Sequence, residues 1–211
     1  MKNTRTAQTV LVATLLLPSV PGSGQQVVER RVAIIAPEAD DERVVHTRDA
    51  VAFWNQTLSD LESGVRLREV ALITPDGRAV ENFAREVSQR GGRLPRGAAG
   101  PEPPGELTGL EADIVVLLSR QPLLPFAWPL AGSPSYLVAV RAAEPRRPSD
   151  STILRNVIAH ELGHTLGLKH NRDQATLMCG PCSSVIVRDG PQGWLPLTAN
   201  DRAQLRTLRV R

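Results

Sequence analysis

Cysteine is scarce in this chain of 211 residues, and long apolar runs are missing. The only cysteines are Cys179 and Cys182, which excludes a small domain held together by several disulfides. No run reaches the roughly 20 apolar residues that a conventional membrane-spanning helix requires. There is no internal repeat either, and the length suits one hydrophobic core better than two. The sequence therefore predicts a small globular protein with a single domain.

A strong charge of either sign is also missing. The 25 Lys and Arg residues against 22 Asp and Glu residues give a net charge of +3. Loss of the N-terminal leader described below would remove Lys2 and Arg5 and leave 23 − 22 = +1. Nearly all the cations are arginines, but they do not cluster in a run. No basic patch for nucleic acid is predicted, so nucleic acid is not an expected partner.

Residues 1–24 have the pattern of a secretory signal peptide. Lys2 and Arg5 precede the apolar run Val10–Leu17, and proline and small residues follow it. The alternative is an N-terminal membrane anchor, but the run is too short to span a bilayer. We therefore expect export with cleavage of this segment. The mature chain, residues 25–211, is expected to be secreted or periplasmic, as one catalytic domain without stable membrane insertion.

Strand and helix patterns alternate along the mature chain. Runs of β-branched and aliphatic residues predict strands at 27–36, 65–73, 112–119 and 136–142. Apolar residues at helical spacing predict helices from the acids at 40 and 41 to Gly64, and at 79–90, 151–166 and 198–208. Residues 91–109 are predicted to be a loop, and the prolines between 122 and 134 exclude a central strand there. The order predicts an α+β (mixed α/β) domain with a small mixed sheet and packed helices.

Three of the four histidines fall within eleven residues, in the pattern H-E-x-x-H-x-x-G-x-x-H. On a helix, His160 and His164 lie one turn apart on the same face, so both imidazoles reach one Zn²⁺ ion. Gly167 is suited to the left-handed conformation that ends the helix, which brings His170 round as the third ligand. Three histidines leave a tetrahedral zinc with one open position, and a catalytic rather than a structural zinc site has this arrangement.

Glu161 is the candidate catalytic residue within this pattern. It is placed to take a proton from a water in the open position, which is the role of a general base. A bare H-E-x-x-H is short enough to be a chance helical pair, whereas the full eleven-residue pattern arises by chance on the order of once in 10⁵ such chains. A degenerate, inactive relative is the other alternative, but all three histidines and the glutamate are present.

This pattern resembles the signature of the metzincin zinc metalloproteases, in which a methionine turn follows it. Met178 lies eight residues after His170, which is the spacing of the matrixin branch. The closing segment 197–208 is similar to the last helix of that branch, and the segment around Trp54 and residues 112–115 look like its N-terminal part. The resemblance is closest to small secreted matrixin-like proteases of the bacterial type.

The resemblance implies a metzincin-like zincin fold with a mostly parallel sheet, an active-site helix and a methionine turn. It implies an endopeptidase with one catalytic Zn²⁺ ion, in which Met178 forms an apolar floor beneath the ligands; ordinary core packing is the alternative for this methionine. No histidine lies between His46 and His160, and no Asp-rich loop is present, so a structural zinc and calcium are not indicated. Gly180 stands where a tyrosine would favour the astacin and serralysin branches.

The two cysteines form a C-x-x-C motif directly after the methionine turn. A thioredoxin-like redox site is one alternative, but such sites lie at a strand-to-helix junction. A second zinc would need two more ligands, and His46 alone is left over. In an exported protein the expected state is a local disulfide between Cys179 and Cys182 beside the active site.

The expected substrate is an extended peptide or protein segment bound against an edge strand within residues 122–134. Phe126 and Trp128 in that segment either shape a substrate wall, pack in the core or lie in a surface loop. Two other functions stay open. One is a zinc-containing binding protein with negligible turnover, and the other is a zinc hydrolase of a non-protein bond.

Overall fold

The computed structural model describes residues 27–75, 77–90, 100–141, 148–180 and 193–208. The predicted signal peptide at 1–24 and Cys182 lie outside the described residues. In the parts of the chain that the structure describes, no helix has both the length and the apolar character needed to cross a membrane.

The described residues form five strands and five helices. The strands are β1 Val28–Ile35, β2 Val65–Ile73, β3 Ile114–Leu118, β4 Phe126–Pro129 and β5 Tyr136–Val140. The helices are α1 Glu42–Asp60, α2 Ala79–Gln89, α3 Gly105–Thr108, α4 Pro148–Thr165 and α5 Ala199–Arg206. All four predicted strands and all four predicted helices are present, with ends that shift by a few residues.

The prediction of a loop over 91–109 is wrong at its C-terminal end, where α3 forms. This single turn follows the extended residue Pro104, and its Leu107 side chain is buried with 2% of its surface exposed. Burial of that leucine against the sheet-facing side of α2 anchors a segment whose composition alone favours a turn. Residues 91–99 lie outside the described part.

The five strands form one sheet in the order β2-β1-β3-β5-β4. The first four run parallel, and β4 pairs antiparallel with β5 at the edge. β3 and most of β5 are buried, as expected for strands covered on both faces. Helices α1 and α4 pack with the core on one face, and α2 and α3 pack on the other. The predicted mixed α/β class with a small, mostly parallel sheet is confirmed.

Helix α1 holds the helix that carries the histidine pattern. The two helices pack against each other, and the fully buried Trp54 donates its indole N–H to the carbonyl oxygen of Ala159 at 2.9 Å. This carbonyl belongs to the residue directly before His160. The aromatic side chain therefore fixes the position of α4 along α1 at the level of the first histidine.

The last helix begins at Ala199, one residue after the predicted start. Thr198 is the N-cap, its hydroxyl accepts a hydrogen bond from the Asp201 amide, and the Asp201 carboxylate in turn accepts one from the Thr198 amide. This capping box satisfies amides that the first turn leaves without helical partners. It also fixes the buried Asp201 where it meets the segment after His170.

Candidate metal centre

Helix α4 presents His160 and His164 on one face, and its end turns the chain toward His170. Gly167 has φ of 87°, the left-handed conformation that the sequence predicts for the residue ending this helix. The amides of Gly167 and Leu168 donate to the carbonyls of His164 and Gly163, which closes the last turn. The chain then brings His170 beside the other two rings.

The three histidines converge through their Nε2 atoms. The distances are 3.2 Å between His160 and His164, 3.1 Å between His160 and His170, and 3.1 Å between His164 and His170. Three nitrogens that each lie 2.0–2.1 Å from one tetrahedral zinc ion are separated by about 3.3 Å. The spacing of the three ring nitrogens therefore fits a single small cation held between them.

Backbone carbonyls fix the protonation of two of these rings. His160 Nδ1 lies 2.6 Å from the carbonyl oxygen of Leu177, and His164 Nδ1 lies 2.8 Å from that of Leu168. A carbonyl oxygen only accepts, so each Nδ1 carries the proton and donates it. Each Nε2 is then left with a lone pair for a metal, as in metal sites whose histidines are oriented by a second hydrogen bond.

Burial keeps these imidazoles neutral. Desolvation lowers the pKa of His160 to about 4, although the Leu177 carbonyl opposes the shift and the neighbouring histidines add to it. Desolvation also lowers the pKa of His164. The neutral imidazole is the form that binds a metal, so the surroundings prepare both rings as ligands at neutral pH.

Glu161 lies at the same site but in a drier position. Its side chain is buried, with 7% of the residue exposed, whereas His170 is exposed. Burial raises the pKa of Glu161 to about 8, and a hydrogen bond from the Ala127 backbone amide opposes this shift. A carboxyl group with a raised pKa holds a proton more readily than an exposed one, which suits a group that accepts and returns protons near neutral pH.

The raised pKa of Glu161 predicts how stability depends on pH in the metal-free protein. Between the usual value of 4.5 and about 8, the unfolded chain loses the carboxyl proton while the folded chain keeps it. Each pH unit in this window therefore costs the wild type about 1.4 kcal/mol of unfolding free energy. Glu161→Gln removes the penalty, so its stability relative to wild type should rise across the window and level off above it.

Denaturant unfolding of metal-free protein at several pH values measures this difference. At acid pH the unfolded chain protonates His160 more readily than the folded chain, so the unfolding free energy falls. This effect is the same in both proteins and cancels in the comparison. Glu111→Gln is the matched control, because it removes a carboxylate whose side chain is 93% exposed and whose 3.6 Å ion pair with Arg31 lies at the surface, so its effect on the unfolding free energy should be small. Parallel pH profiles for wild type and Glu161→Gln would contradict the burial argument.

The segment around Met178, which the sequence predicts as a methionine turn, packs against the helix that carries His160 and His164. Met178 is fully buried, and its sulfur packs against Gly163, the residue before His164. The amide of Asn171 donates to the Met178 carbonyl at 2.8 Å, and the amide of Gly180 donates to the Asn171 carbonyl at 3.0 Å. The turn is thus joined to the residue that follows His170, and its Leu177 carbonyl orients His160.

Gly163 has no room for a side chain. A β-carbon there would lie 2.7 Å from Met178 Sδ and 3.0 Å from Trp54 Cζ2, both of which are buried. Gly163→Ala should therefore lower the unfolding free energy by about 1–3 kcal/mol, even though alanine favours a helix. Thermal or denaturant unfolding measures this. Gly105→Ala is the control, because nothing lies within 4 Å of a β-carbon at that position, and equal stability of the two variants would contradict the packing.

Gly180 is restricted by the third histidine itself. A β-carbon at this position would lie 2.5 Å from His170 Cγ and 2.6 Å from its Cδ2. Gly180→Ala should displace the ring and weaken zinc binding by about 10-fold or more, as loss of groups that orient ligands does. Competition with a chromophoric chelator measures the affinity. Unchanged zinc affinity would show that the ring does not depend on this contact.

Two side chains from outside α4 hold its C-terminal end. Arg30 on β1 donates to the Thr165 carbonyl at 2.5 Å, and Gln204 on α5 donates to the Gly167 carbonyl at 2.6 Å. A cation and an amide donor at this end satisfy carbonyls that have no helical partner. Neither contact is visible in the sequence, because the partners are backbone atoms far away in the chain.

The site opens into a cleft of about 290 Å³ between α4 and the edge strand. Its lining consists of Ser88, Leu124, Pro125, Phe126, Ala127, Glu161, His164 and His170.

Phe126 and Trp128 are largely buried in the core on the α2 side. Of the roles that the sequence leaves open for them, core packing is therefore the main one. A larger cleft of about 870 Å³, beside the start of β2, contains no histidine and lies away from the metal centre.

The other residues that the sequence singles out are the two cysteines and His46. Cys179 takes part in a disulfide, but Cys182 lies outside the described residues, so the pairing of these two stays a prediction. His46 lies on α1, half-buried, with its Nδ1 3.9 Å from an Asp49 carboxylate oxygen. Among the described residues, the cluster of His160, His164 and His170 is the group of His, Cys, Asp and Glu that meets the geometry of a metal site.

A centre of three convergent histidines beside a buried glutamate, on one face of a mostly parallel sheet, defines a protein of the zinc metalloprotease class. A family model described as matrixin matches residues 41–208. The chain belongs to the matrixin family. No curated protein sequence matches the chain.

Two solved structures are similar to the chain at low identity. One is an archaemetzincin from Methanopyrus kandleri, 17% identical with a TM-score of 0.47, over 89% of this chain and 97% of that chain. The other is a chain from a chaperone–substrate complex, 17% identical with a TM-score of 0.49, over 86% of this chain and 34% of that chain. Both TM-scores lie below 0.5, so the assignment to a family rests on the sequence match.

Proposed function

We propose that this matrixin-family metalloprotease is a secreted zinc endopeptidase in which Glu161 is the general base. The observation that carries the proposal is the position of Glu161. It lies beside three Nε2 atoms that fit one zinc ion, and it borders a cleft with an edge strand on its other side. A binding protein has no need for a buried carboxyl group with a raised pKa at this position.

The metal would be held by His160, His164 and His170. Zinc bound there supplies a Lewis acid that polarises the scissile carbonyl and lowers the pKa of water. The chain's own groups do the rest. The Glu161 carboxylate takes the proton of the attacking water and later delivers it to the leaving amine nitrogen. The Ala127 amide holds the carboxylate toward the cleft while this happens.

The substrate we propose is an extended peptide segment lying along β4. This strand is at the edge of the sheet, runs antiparallel to β5 and lines the same cleft as Glu161. An edge strand beside a catalytic group is a common place for main-chain pairing with a peptide. β4 lies within the segment 122–134 for which the sequence predicts this role.

Secretion is part of the proposal because of residues 1–24. Their charged start, short apolar run and small-residue end are the pattern of a cleaved signal peptide. N-terminal sequencing of the protein recovered from the medium or periplasm of a producing cell tests this directly. A mature start near residue 25 is expected, and an intact protein retained in the cytoplasm would contradict it.

Cleavage of an unbiased peptide library by the zinc-loaded protein, read by mass spectrometry, tests the activity. The expected result is internal cleavage that a metal chelator abolishes and that reveals the side-chain preference. A zinc-loaded, folded protein that cleaves no peptide would contradict the proposal and would favour a binding protein or a hydrolase of a non-protein bond.

A further inference from the structure

The hydrogen-bonding direction of β4 follows from its pairing with β5. The register pairs Phe126 with Ala139, and the next residue after the strand, Leu130, donates its amide to the Ser135 carbonyl at 2.9 Å. In an antiparallel pair, hydrogen-bonded residues alternate with residues whose backbone groups point away from the partner. Even-numbered residues of β4 therefore face β5, and odd-numbered residues face the cleft.

The odd-numbered residues on this free side are Pro125, Ala127 and Pro129. The two prolines have no N–H group. The Ala127 amide is already donated to the Glu161 carboxylate. The amide of Leu124, the residue before this run, is donated to Ser88 Oγ at 3.0 Å. Between residues 124 and 130, every backbone N–H is therefore either missing or engaged within the protein.

The carbonyl oxygens of the same three residues, unlike their N–H groups, are all present and point to the free side of the strand. A proline keeps its C=O group, and the carbonyls at positions 125, 127 and 129 face away from β5 in the established register. They recur every second residue, which spaces them about 6.6 Å apart along the strand. The free side of β4 thus offers a row of acceptors without a single free donor.

We infer that β4 binds its substrate through the substrate's N–H groups alone, and that Pro125 and Pro129 determine this specificity. An ordinary sheet edge both donates to and accepts from a pairing strand. Here substrate carbonyls that face β4 find no donor, so only the substrate amides contribute main-chain hydrogen bonds. A substrate with proline or an N-alkylated residue at such a position loses its contact with the edge and is disfavoured. The inference rests on the proposed function and names the substrate chemistry of the same cleft.

Pro129→Ala tests the inference because it restores an N–H group to the free side. The measurement is the Kd of a labelled peptide on zinc-loaded protein carrying Glu161→Gln, so that the peptide stays intact. The peptide is chosen from the library by cleavage or, where nothing is cleaved, by binding. Pro129→Ala should lower this Kd by about 2- to 10-fold, the value of one added net hydrogen bond. Pro122→Ala is the matched control, because Pro122 is exposed in the same segment but precedes the paired region. Its Kd should match that of the parent.

A series of peptides with one amide replaced by an ester supplies the second readout. Each ester removes one substrate N–H, so the loss of affinity should recur at every second position and should reach about 3- to 10-fold where the N–H faces β4. In the active protein, Pro129→Ala should lower KM and leave kcat unchanged.

The outcomes separate this inference from the proposed function. Equal Kd values for Pro129→Ala and Pro122→Ala, or an ester series without alternation, would overturn the inference while peptide cleavage by the wild type still stood. Tighter binding by Pro129→Ala in a protein that never cleaves would support the inference and contradict the proposed activity. Absence of binding to any peptide would overturn both.

Discussion

Glu161→Gln is expected to bind zinc as the wild type does and to lose most peptide cleavage. The amide has nearly the shape of the carboxylate and still accepts from the Ala127 amide, but it cannot take a proton from water. Because Glu161 is not one of the three convergent ligands, the metal should remain. Loss of a general base typically lowers the rate about 10²- to 10⁴-fold, and kcat/KM on a peptide from the library measures it.

Two controls make this result specific. Zinc content by atomic absorption shows that the metal is still bound, and Glu111→Gln shows that removal of an exposed carboxylate has no effect. If Glu161→Gln cleaved as fast as the wild type with one zinc bound, another group would have to act as the base. In that event the proposed mechanism would be wrong even though the metal centre was right.

His164→Ala is expected to lose both zinc and activity. The substitution leaves two histidines, and two nitrogens with open water positions hold zinc far more weakly than three preoriented ones. Activity should fall at least as far as in Glu161→Gln, on the order of 10³-fold or more, because the Lewis acid is lost together with the nucleophile it prepares. Zinc content after dialysis and kcat/KM measure the two losses.

His46→Ala is the matched control for this variant. It removes the fourth histidine of the chain, which lies on α1 and is not among the clustered ligands. It should retain one zinc and full activity. Retention of stoichiometric zinc by His164→Ala would contradict the assignment of the ligands, whereas loss of zinc by His46→Ala would show that the control affects the fold.

Much of the fold follows from local patterns in the sequence. The aliphatic runs that become β3, most of β5 and the second half of β1 are buried in the sheet, so their hydrophobicity reflects their position. β2 is less buried, and the alternation of its residues is what predicts it. The capping box at Thr198 and the left-handed Gly167 are equally local, since each depends on a few neighbouring residues. The ligand set is local for the same reason, because helical spacing alone brings His160 and His164 together.

The remaining features depend on distant backbone atoms and were beyond the reach of the sequence. The prolines of residues 122–134 exclude a central strand, yet they do not reveal that β4 pairs with β5 or which residues face the cleft. The Leu177 carbonyl that orients His160 and the Ala127 amide that meets Glu161 belong to residues whose side chains carry no polar group. The close approaches at Gly163 and Gly180 are visible in the sequence, because a glycine stands at each position although no turn requires one there.

Titration of the metal-free protein with zinc, followed by peptide cleavage at each addition, tests the central claim most directly. The account predicts that cleavage is absent without metal, rises in proportion to the zinc added and reaches its plateau at one equivalent per chain. Cleavage by the metal-free protein, or a folded protein that binds one zinc at the three histidines and cleaves nothing, would contradict it.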